Sequence, residues 1–189
     1  MESKLYVVHH SKALEAKALP QSFLPLSREG IMLTSPVAEA SFWSSVEAIY
    51  SSPELRAVQT AELIARRWQL PLYLEDDLSD MWLVSAGLDE DQFGQIVGDH
   101  LEGKVNHQLL EPYEEAQQRI VRCVHRLAHE NSNRSFAIVS HARILTAFYS
   151  HLFGRRLGRK EWLSIRTPDL SVIDPHTWRV TAGFFSDLQ

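Results

Sequence analysis

Short apolar runs alternate along the chain with longer segments in which apolar residues recur at helical spacing. The runs at residues 5–8, 48–50, 71–74 and 135–140 predict four core strands of a sheet. The last part of the chain carries three more runs, at residues 162–165, 170–174 and 179–185, which are also predicted to be strands, with a turn at 174–177.

Capping residues and prolines mark the expected helix starts. Ser52 is predicted to cap a helix that has Pro53 at its first position. Pro36 interrupts the helix expected after Ser27, which predicts a kink or a restart capped by Ser35. Further helices are expected over residues 90–101, from 112 onwards and over 144–153.

Strands that alternate with helices predict an α/β fold with a mostly parallel sheet. The length of 189 residues predicts one domain that spans residues 1–189. Residues 76–110 are mainly polar, and we expect them to form a short cap or insertion in which ligand specificity lies.

Composition narrows the classes of function. The formal net charge of −5 disfavours nonspecific nucleic-acid binding. A single cysteine, Cys123, excludes an internal disulfide, fits a reducing compartment and is expected to be a packing residue. No segment approaches the ~18 apolar residues of a membrane helix, and the first strand begins too early for a signal peptide. We therefore expect a cytoplasmic protein with neither a nucleic-acid nor a membrane partner.

Nitrogen-bearing side chains follow the apolar elements at three places. His10 comes just after the first predicted strand, and His141 just after the fourth core strand. Ligands gather at the carboxyl ends of the strands in an open α/β sheet, so both histidines are expected at one crevice. Arg56 lies in the first turn of a helix, where an anion would neutralise both the guanidinium and the helix dipole. The sequence therefore predicts an anion pocket with a histidine nucleophile.

Four segments carry a resemblance to a known family. They are His9-His10-Ser11, Leu26-Ser27-Arg28-Glu29-Gly30, Tyr50-Ser51-Ser52-Pro53-Glu54-Leu55-Arg56-Ala57-Val58-Gln59-Thr60-Ala61 and Ser140-His141-Ala142. In this order they resemble the motifs of the histidine phosphatase superfamily, the phosphoglycerate mutase-like group, over almost the whole chain. The resemblance implies a three-layer α/β/α sandwich of the phosphoglycerate mutase-like type.

The resemblance also implies a mechanism. His10 would attack phosphorus and become transiently phosphorylated, while Arg56 and His141 would hold the phosphoryl oxygens. A carboxylic acid would protonate the leaving oxygen, and Asp80 occupies the place of the family's glutamate. The other acids of the same segment, Glu75, Asp76 and Asp77, stay open as candidates. The chemistry implies no metal and no cofactor, and the expected partner is a small phosphorylated substrate or a phosphoprotein.

The chain departs from the family pattern at the same pocket. His9 replaces the family's first arginine, and its imidazole is only partly charged near neutrality. Arg143 or Lys12 is a candidate to supply the missing charge at the phosphate site. Ser11 replaces a glycine and adds bulk where the backbone must approach a phosphate. Two further replacements are Ala142 for glycine and Ala13 for a hydroxyl-bearing residue.

Two hypotheses of function follow. In the first, the protein is a phosphatase that hydrolyses a phosphomonoester through a phosphohistidine. In the second, it is a catalytically impaired pseudophosphatase that binds a phosphorylated ligand or partner. A phosphoglycerate-type mutase is disfavoured, because the segment between Asp80 and Glu111 is short for an elaborate substrate cap.

Other features receive less weight. A metal triad of His9, His10 and His141 is disfavoured because adjacent strand residues point to opposite faces. Trp82 lies close to Asp80 and is a candidate to line the substrate entrance. The oligomeric state stays open, although the C-terminal strands would offer a sheet edge for pairing.

Overall fold

The computed structural model describes residues 3–15, 20–84, 89–105 and 107–188. The strands are β1 (Leu5–His9), β2 (Val46–Ser51), β3 (Leu72–Leu74), β4 (Ser135–Ser140), β5 (Asp169–Asp174) and β6 (Arg179–Gly183). The α-helices are α1 (Arg28–Ala38), α2 (Leu55–Trp68), α3 (Glu90–Leu101), α4 (Tyr113–Glu130), α5 (Ala142–Leu152) and α6 (Arg159–Ser164).

The six strands form one mixed sheet in the order β3-β2-β4-β1-β5-β6. Parallel pairing joins β3, β2, β4 and β1, whereas β5 is antiparallel to β1 and β6 is antiparallel to β5. β6 therefore runs in the same direction as β1. The prediction of a mostly parallel sheet is confirmed.

Apolar side chains leave both faces of the sheet in alternation. In β1, Leu5 and Val7 pack in one core with helices α4 and α5, while Tyr6 and Val8 pack in a second core with α1 and α2. All four side chains are buried, because a central strand covered on both faces excludes water from both. The predicted three-layer α/β/α arrangement is confirmed.

Three strands end at the same edge of the sheet. β1, β2 and β4 are followed directly by His10, Ser52 and His141. Backbone hydrogen bonds fix these exits, since the His10 N–H donates to Ser140 O at 3.1 Å and the Ser52 N–H donates to Val139 O at 2.9 Å. The sheet therefore brings two predicted site histidines to one crevice.

The segment expected to be a cap lies beside this crevice. It holds a 3₁₀ turn, Asp76–Leu78, and α3, whose predicted bounds of 90–101 match those observed. Asp89 caps α3 by accepting a hydrogen bond from the Gln92 N–H at 2.8 Å.

One predicted strand is a helix. Residues 162–165 were predicted to be extended, whereas residues 159–164 form α6. The Glu161 carboxylate accepts a hydrogen bond from the Gly158 N–H at 2.9 Å, which satisfies a free donor at the start of this helix. A run of four residues with three apolar side chains was too short to separate helical from strand periodicity.

Two helix boundaries also differ from the prediction. The helix containing Pro36 continues to Ala38 without a restart. Pro36 lies in the last turn, so the hydrogen bond that it cannot donate affects only the end of the helix. The Ser35 hydroxyl donates to Ile31 O instead of capping. Helix α2 begins at Leu55 and not beside Ser52, whose hydroxyl is bonded to His141.

Within the described residues, no helix is long and apolar enough to cross a membrane.

Candidate active site

His10 is held in the tautomer that a nucleophile requires. Its Nδ1 lies 2.7 Å from the carbonyl oxygen of Ser11, so Nδ1 carries the hydrogen and donates it. Nε2 is left with a lone pair, which accepts a hydrogen bond from Arg56 Nε at 3.0 Å. His10 therefore presents an unprotonated Nε2 next to a guanidinium.

The surroundings of His10 keep it neutral. Burial lowers the pKa of His10 well below the usual histidine range, and the neighbouring His9, His141 and Arg56 lower it further. A neutral imidazole is a nucleophile and an imidazolium is not, so this environment favours attack on an electrophile.

Arg56 connects the two histidines of the crevice. Its Nε contacts His10, and its Nη2 donates to His141 Nδ1 at 3.1 Å. Nη2 also lies 2.8 Å from a carboxylate oxygen of Glu54. Arg56 is buried, so its charge is weakly screened and strongly felt by an anion in the crevice.

His141 is fully buried and has both ring nitrogens engaged. Nδ1 accepts from Arg56, so Nε2 carries the hydrogen and donates it to the Ser52 hydroxyl at 2.8 Å. Burial lowers the pKa of His141 well below the usual range, and Arg56 adds to this effect. Its ring centroid lies 4.9 Å from that of His10.

Glu54 is a partly buried carboxylate to which the sequence analysis gave no role. One oxygen pairs with Arg56, and the other accepts a hydrogen bond from the Asp80 N–H at 2.8 Å and lies 3.4 Å from His141 Nε2. Burial raises the pKa of Glu54, and the nearby Asp80 carboxylate raises it further. Glu54 therefore positions Arg56 and the Asp80 backbone, and Ser52 positions His141. Both residues belong to the motif that resembles the family.

His9, the substituted residue, also faces the crevice. Its Nδ1 donates to the Arg166 carbonyl at 2.6 Å, and its ring centroid lies 4.5 Å from that of His10. Burial lowers the pKa of His9, although the Arg166 carbonyl opposes the shift. His9 is therefore mostly neutral near neutral pH, unlike the arginine it replaces.

Asp80 is the member of the acidic segment that lines the crevice. Glu75 instead pairs with Arg126 at 2.7 Å, and neither Asp76 nor Asp77 lines the cavity. Asp80 Oδ2 lies 2.7 Å from Arg143 Nη2 and 3.8 Å from Arg56 Nη2. Burial raises the pKa of Asp80, but the charge and hydrogen bond of Arg143 outweigh it, so the net pKa is lowered. Asp80 is thus ionised while the crevice holds no anion.

A partly buried arginine that the sequence analysis missed fixes the segment around Asp80. Arg119, on α4, donates to the carbonyl oxygens of Asp77 and Ser79 at 2.8 and 3.0 Å. Its other nitrogens pair with Glu111 at 2.7 and 3.0 Å. Asp77 and Ser79 lie 42 and 40 residues from Arg119 in the chain, so no local sequence pattern pointed to these contacts.

The Ser11 side chain does not obstruct the crevice, contrary to the sequence prediction. Ser11 is fully buried, and its hydroxyl donates to the Gly30 carbonyl at 2.7 Å, away from the crevice. Its N–H donates to the Thr60 hydroxyl at 3.0 Å. The Ser-for-Gly replacement is absorbed by a hydrogen bond between the loop and α1.

The crevice is a cavity of about 250 Å³. Charged and polar side chains line one part of it, and apolar side chains line the rest: His9, His10, Gln21, Arg56, Asp80 and Arg143, then Ala13, Leu24, Phe93, Ala142 and Trp162. Arg143 is therefore placed where a phosphate-binding cation was predicted. Lys12 is not, since it is exposed and pairs with Glu29 at 2.7 Å.

Two lesser predictions can be compared with the structure. Trp82 does not line the cavity and is 51% exposed, whereas Trp162 does line it. Cys123 is buried, and burial raises the pKa of its thiol to about 12, as expected for a packing residue.

The metal alternative finds no geometry in support. No group of three His, Cys, Asp or Glu side chains within the described ranges is arranged to hold a metal ion. The His9 and His10 rings do lie together, so the argument that they face opposite ways was wrong, because His10 follows the strand and is not part of it. The Arg56 guanidinium hydrogen-bonds to both His10 and His141.

Comparison of the sequence with models of protein families identifies the family of this chain. The histidine phosphatase superfamily (branch 1) matches residues 6–187. The chain belongs to this superfamily. No curated protein sequence matches it.

Solved structures of this superfamily fold share the architecture. A mycobacterial glucosyl-3-phosphoglycerate phosphatase has a TM-score of 0.76 at 17% identity, covering 96% of this chain and 98% of that one. A phosphoglycerate mutase from Bacillus anthracis has a TM-score of 0.73 at 17% identity, covering 95% of this chain and 92% of that one. A phosphoserine phosphatase from Entamoeba histolytica has a TM-score of 0.72 at 17% identity, covering 97% of this chain and 98% of that one. These similarities establish the phosphoglycerate mutase-like fold.

Proposed function

We propose that this protein is a phosphatase that hydrolyses a small phosphomonoester through a phosphohistidine at His10. The observation that carries the proposal is the state of His10. Its Nδ1 hydrogen is held by the Ser11 carbonyl, its Nε2 is unprotonated, and its pKa is low enough for the ring to stay neutral in mildly acidic solution.

In the first step, His10 Nε2 forms a bond to phosphorus while the bond from phosphorus to the leaving oxygen breaks. Arg56 turns its Nε–H from His10 to a phosphoryl oxygen, and its charge stabilises the negative charge of the transition state. His141 positions Arg56 through the 3.1 Å contact between its Nδ1 and Arg56 Nη2. Arg143 and a protonated His9 supply the charge lost with the family's arginine.

Asp80 is proposed as the acid that protonates the leaving oxygen. It is ionised while the site holds no anion, because Arg143 and Arg56 lower its pKa. A phosphate ester competes for both guanidinium groups and adds negative charge beside the carboxylate, so its binding raises the pKa of Asp80. In the second step Asp80, now deprotonated, accepts a proton from the water that attacks the phosphohistidine.

The alternative is a pseudophosphatase that binds a phosphorylated ligand without turnover. Two contacts favour it: Arg56 occupies the lone pair of His10 Nε2, and Arg143 holds Asp80 in the ionised form. A ligand that does not displace these contacts would be bound and not cleaved. A mutase stays disfavoured, since a cavity of about 250 Å³ is small for two phosphorylated positions.

Release of phosphate from an aryl phosphate, measured from acidic to mildly alkaline pH, tests the proposal. We expect activity that His10→Ala abolishes and that His129→Ala, a change at an exposed histidine of α4, leaves intact. Mass spectrometry of a rapidly quenched reaction should find phosphate on His10. A folded protein that binds phosphate but releases none from any ester would replace the phosphatase with the pseudophosphatase.

A further inference from the structure

The cavity has two chemically different parts. His10, Arg56 and His9 form a polar end suited to a phosphoryl group. Phe93 and Trp162 form an aromatic wall in the rest of it. The leaving group of a bound ester must lie along the part that the phosphoryl group does not occupy. Its chemistry is therefore set by the aromatic wall and by the charges next to it.

The aromatic wall is built from two different helices. Phe93 belongs to α3 and Trp162 to α6, and their ring centroids lie 6.2 Å apart at an angle of 51°. Both side chains are half-buried: they pack against the main core and keep a side towards the cavity. Rings at this distance and tilt accept a third ring in stacked or edge-to-face contact.

The two helices are held close by glycine. A methyl group at Gly98 of α3 would lie 3.0 Å from the Cβ of Arg159, at the start of α6. That spacing is tight, so the absence of a side chain at Gly98 lets the backbones of α3 and α6 approach. The relative position of Phe93 and Trp162 is consequently fixed by backbone packing.

Charge next to the wall selects against an anionic leaving group. Arg143 stands over the Phe93 ring at 5.7 Å, but its Nη2 is bound to Asp80 at 2.7 Å. Gln21 is neutral, and its side-chain oxygen lies 3.4 Å from the same nitrogen. Among the described residues that line the cavity, Arg56 thus lies at the phosphoryl end, and Arg143 Nη2 pairs with Asp80. Beyond Arg56 and Arg143, no arginine or lysine among the described lining residues is available to neutralise a second anionic group on the substrate.

The cavity volume limits the size of the leaving group. About 250 Å³ lies below the range of roughly 300–1,000 Å³ that is usual for sites of drug-sized ligands. That space accommodates a phosphoryl group and one ring more readily than a nucleotide or a disaccharide. We propose that the site selects monoesters whose leaving group is a single flat, apolar, uncharged ring. This inference rests on the proposed function for the position of the phosphoryl group.

Calorimetric titration with two phosphonates tests the inference without requiring turnover. Benzylphosphonate and propylphosphonate carry the same anionic head on a ring or a chain. We expect benzylphosphonate to bind about tenfold more tightly, as one aromatic contact and the added apolar area predict. Equal affinity, or tighter binding of the propyl compound, would overturn the aromatic subsite.

Leucine substitutions separate the rings from the rest of the fold. Phe93→Leu and Trp162→Leu keep an apolar side chain and remove the ring, so each should reduce the benzyl-over-propyl ratio severalfold. Leu163→Ala is the matched control, because Leu163 is the neighbour of Trp162 on α6 and is 60% exposed. A purely structural effect would weaken both ligands alike and leave the ratio unchanged, which would contradict the subsite.

Kinetics then distinguish this inference from the proposed function. Benzyl phosphate and propyl phosphate both leave as unactivated primary alcohols, so their kcat/KM ratio reports recognition. We expect a ratio of about ten, with a phosphoglycerate poorer than both. Selective phosphonate binding without hydrolysis would contradict the proposed phosphatase activity and support the aromatic subsite. His10-dependent hydrolysis with a preference for the propyl ester would support the phosphatase activity and contradict the aromatic subsite.

Discussion

Burial gives His9 an electrostatic character different from that of the arginine it replaces. Its Nδ1–H is committed to the Arg166 carbonyl, and its lowered pKa leaves the ring neutral near pH 7. A neutral His9 offers phosphate no positive charge. The residue acquires that charge only when it takes up a proton on Nε2, and a bound dianion favours this uptake.

His9→Arg is expected to raise kcat/KM near neutral pH by about tenfold, because a hydrogen bond to a charged group contributes roughly 1.5–3 kcal/mol. The gain should shrink in acid, where His9 itself becomes protonated. Steady-state kinetics of both proteins at two pH values measure this. An equal or lower rate at neutral pH would mean that the pocket is adapted to histidine.

The native activity is expected to be highest in mildly acidic solution. His9 acts in its protonated form, and burial lowers its pKa in the free protein, so raising the pH removes the active form. His10 stays neutral in mild acid because its own pKa is lowered well below the usual range. The pH profile of kcat/KM should fall towards alkaline pH, and a flat profile would contradict these protonation states.

Glu54→Ala is expected to lower kcat/KM by about ten- to a hundredfold. The substitution releases Arg56 and the Asp80 backbone at once, each of which Glu54 holds at 2.8 Å. Glu62→Ala provides the matched control, since Glu62 lies on α2, which begins directly after Glu54, and makes an exposed pair with Arg66. Glu54→Gln should recover part of the loss by keeping the hydrogen bonds. Equal activity of the Glu54 and Glu62 variants would remove Glu54 from the site.

Single residues show how far sequence alone reaches into the site. His10, Arg56 and His141 were found because strand ends and a family motif mark them. Ser52, Glu54 and Arg119 were missed or given another role, because their partners are distant in sequence: His141 lies 89 residues from Ser52. Which of four neighbouring acids enters the cavity depends on how Arg119 fixes the backbone, and no periodicity encodes that contact.

At the scale of elements, one glycine joins the nucleophile loop to α1. A methyl group at Gly30 would lie 2.1 Å from the Lys12 carbonyl oxygen, so the backbone of one element would have to move. The same loop carries Ser11, whose carbonyl fixes the tautomer of His10. This contact explains in physical terms why the segment that starts at Leu26 ends in glycine.

Gly30→Ala is expected to destabilise the protein by about 1–3 kcal/mol, as overpacking does, and to reduce activity further by shifting Ser11. Gly94→Ala in α3 is the control, because the methyl group there would meet only the flexible end of Arg159. Urea unfolding and phosphatase assays of both variants supply the measurement. A Gly30 variant as stable and active as the Gly94 variant would rule out the close approach.

Element prediction succeeded where the local signals agreed. The bounds of α3 follow from its capping residue Asp89, and β4 follows from a continuous buried run. It failed at α6, where Trp162 and Leu163 gave an apolar run without a readable period. It also failed at Ser52, whose hydroxyl accepts hydrogen bonds from His141 Nε2 and from the Glu54 N–H, while α2 begins only at Leu55.

At the scale of the whole molecule, ligand binding at the site is linked to stability. A ligand that binds only the folded state stabilises it in proportion to the logarithm of its concentration over Kd. Inorganic phosphate is therefore expected to raise Tm, and to raise it more in mild acid, where His9 is protonated. Arg56→Ala should abolish the effect, while Arg66→Ala, at an exposed position of α2, should preserve it. An equal phosphate response in both variants would place the anion elsewhere.

The position of β1 in the sheet has a consequence for biosynthesis. This first strand pairs only with β4 and β5, whose residues begin at 135 and 169. During translation the strand that leads to His10 emerges early and finds no sheet partner until most of the chain has been made. Long-range pairing of this kind slows folding, because the chain loses the entropy of loop closure before the stabilising contacts between the strands form. The crevice formed by His10 and His141 therefore cannot assemble before β4 has been synthesised.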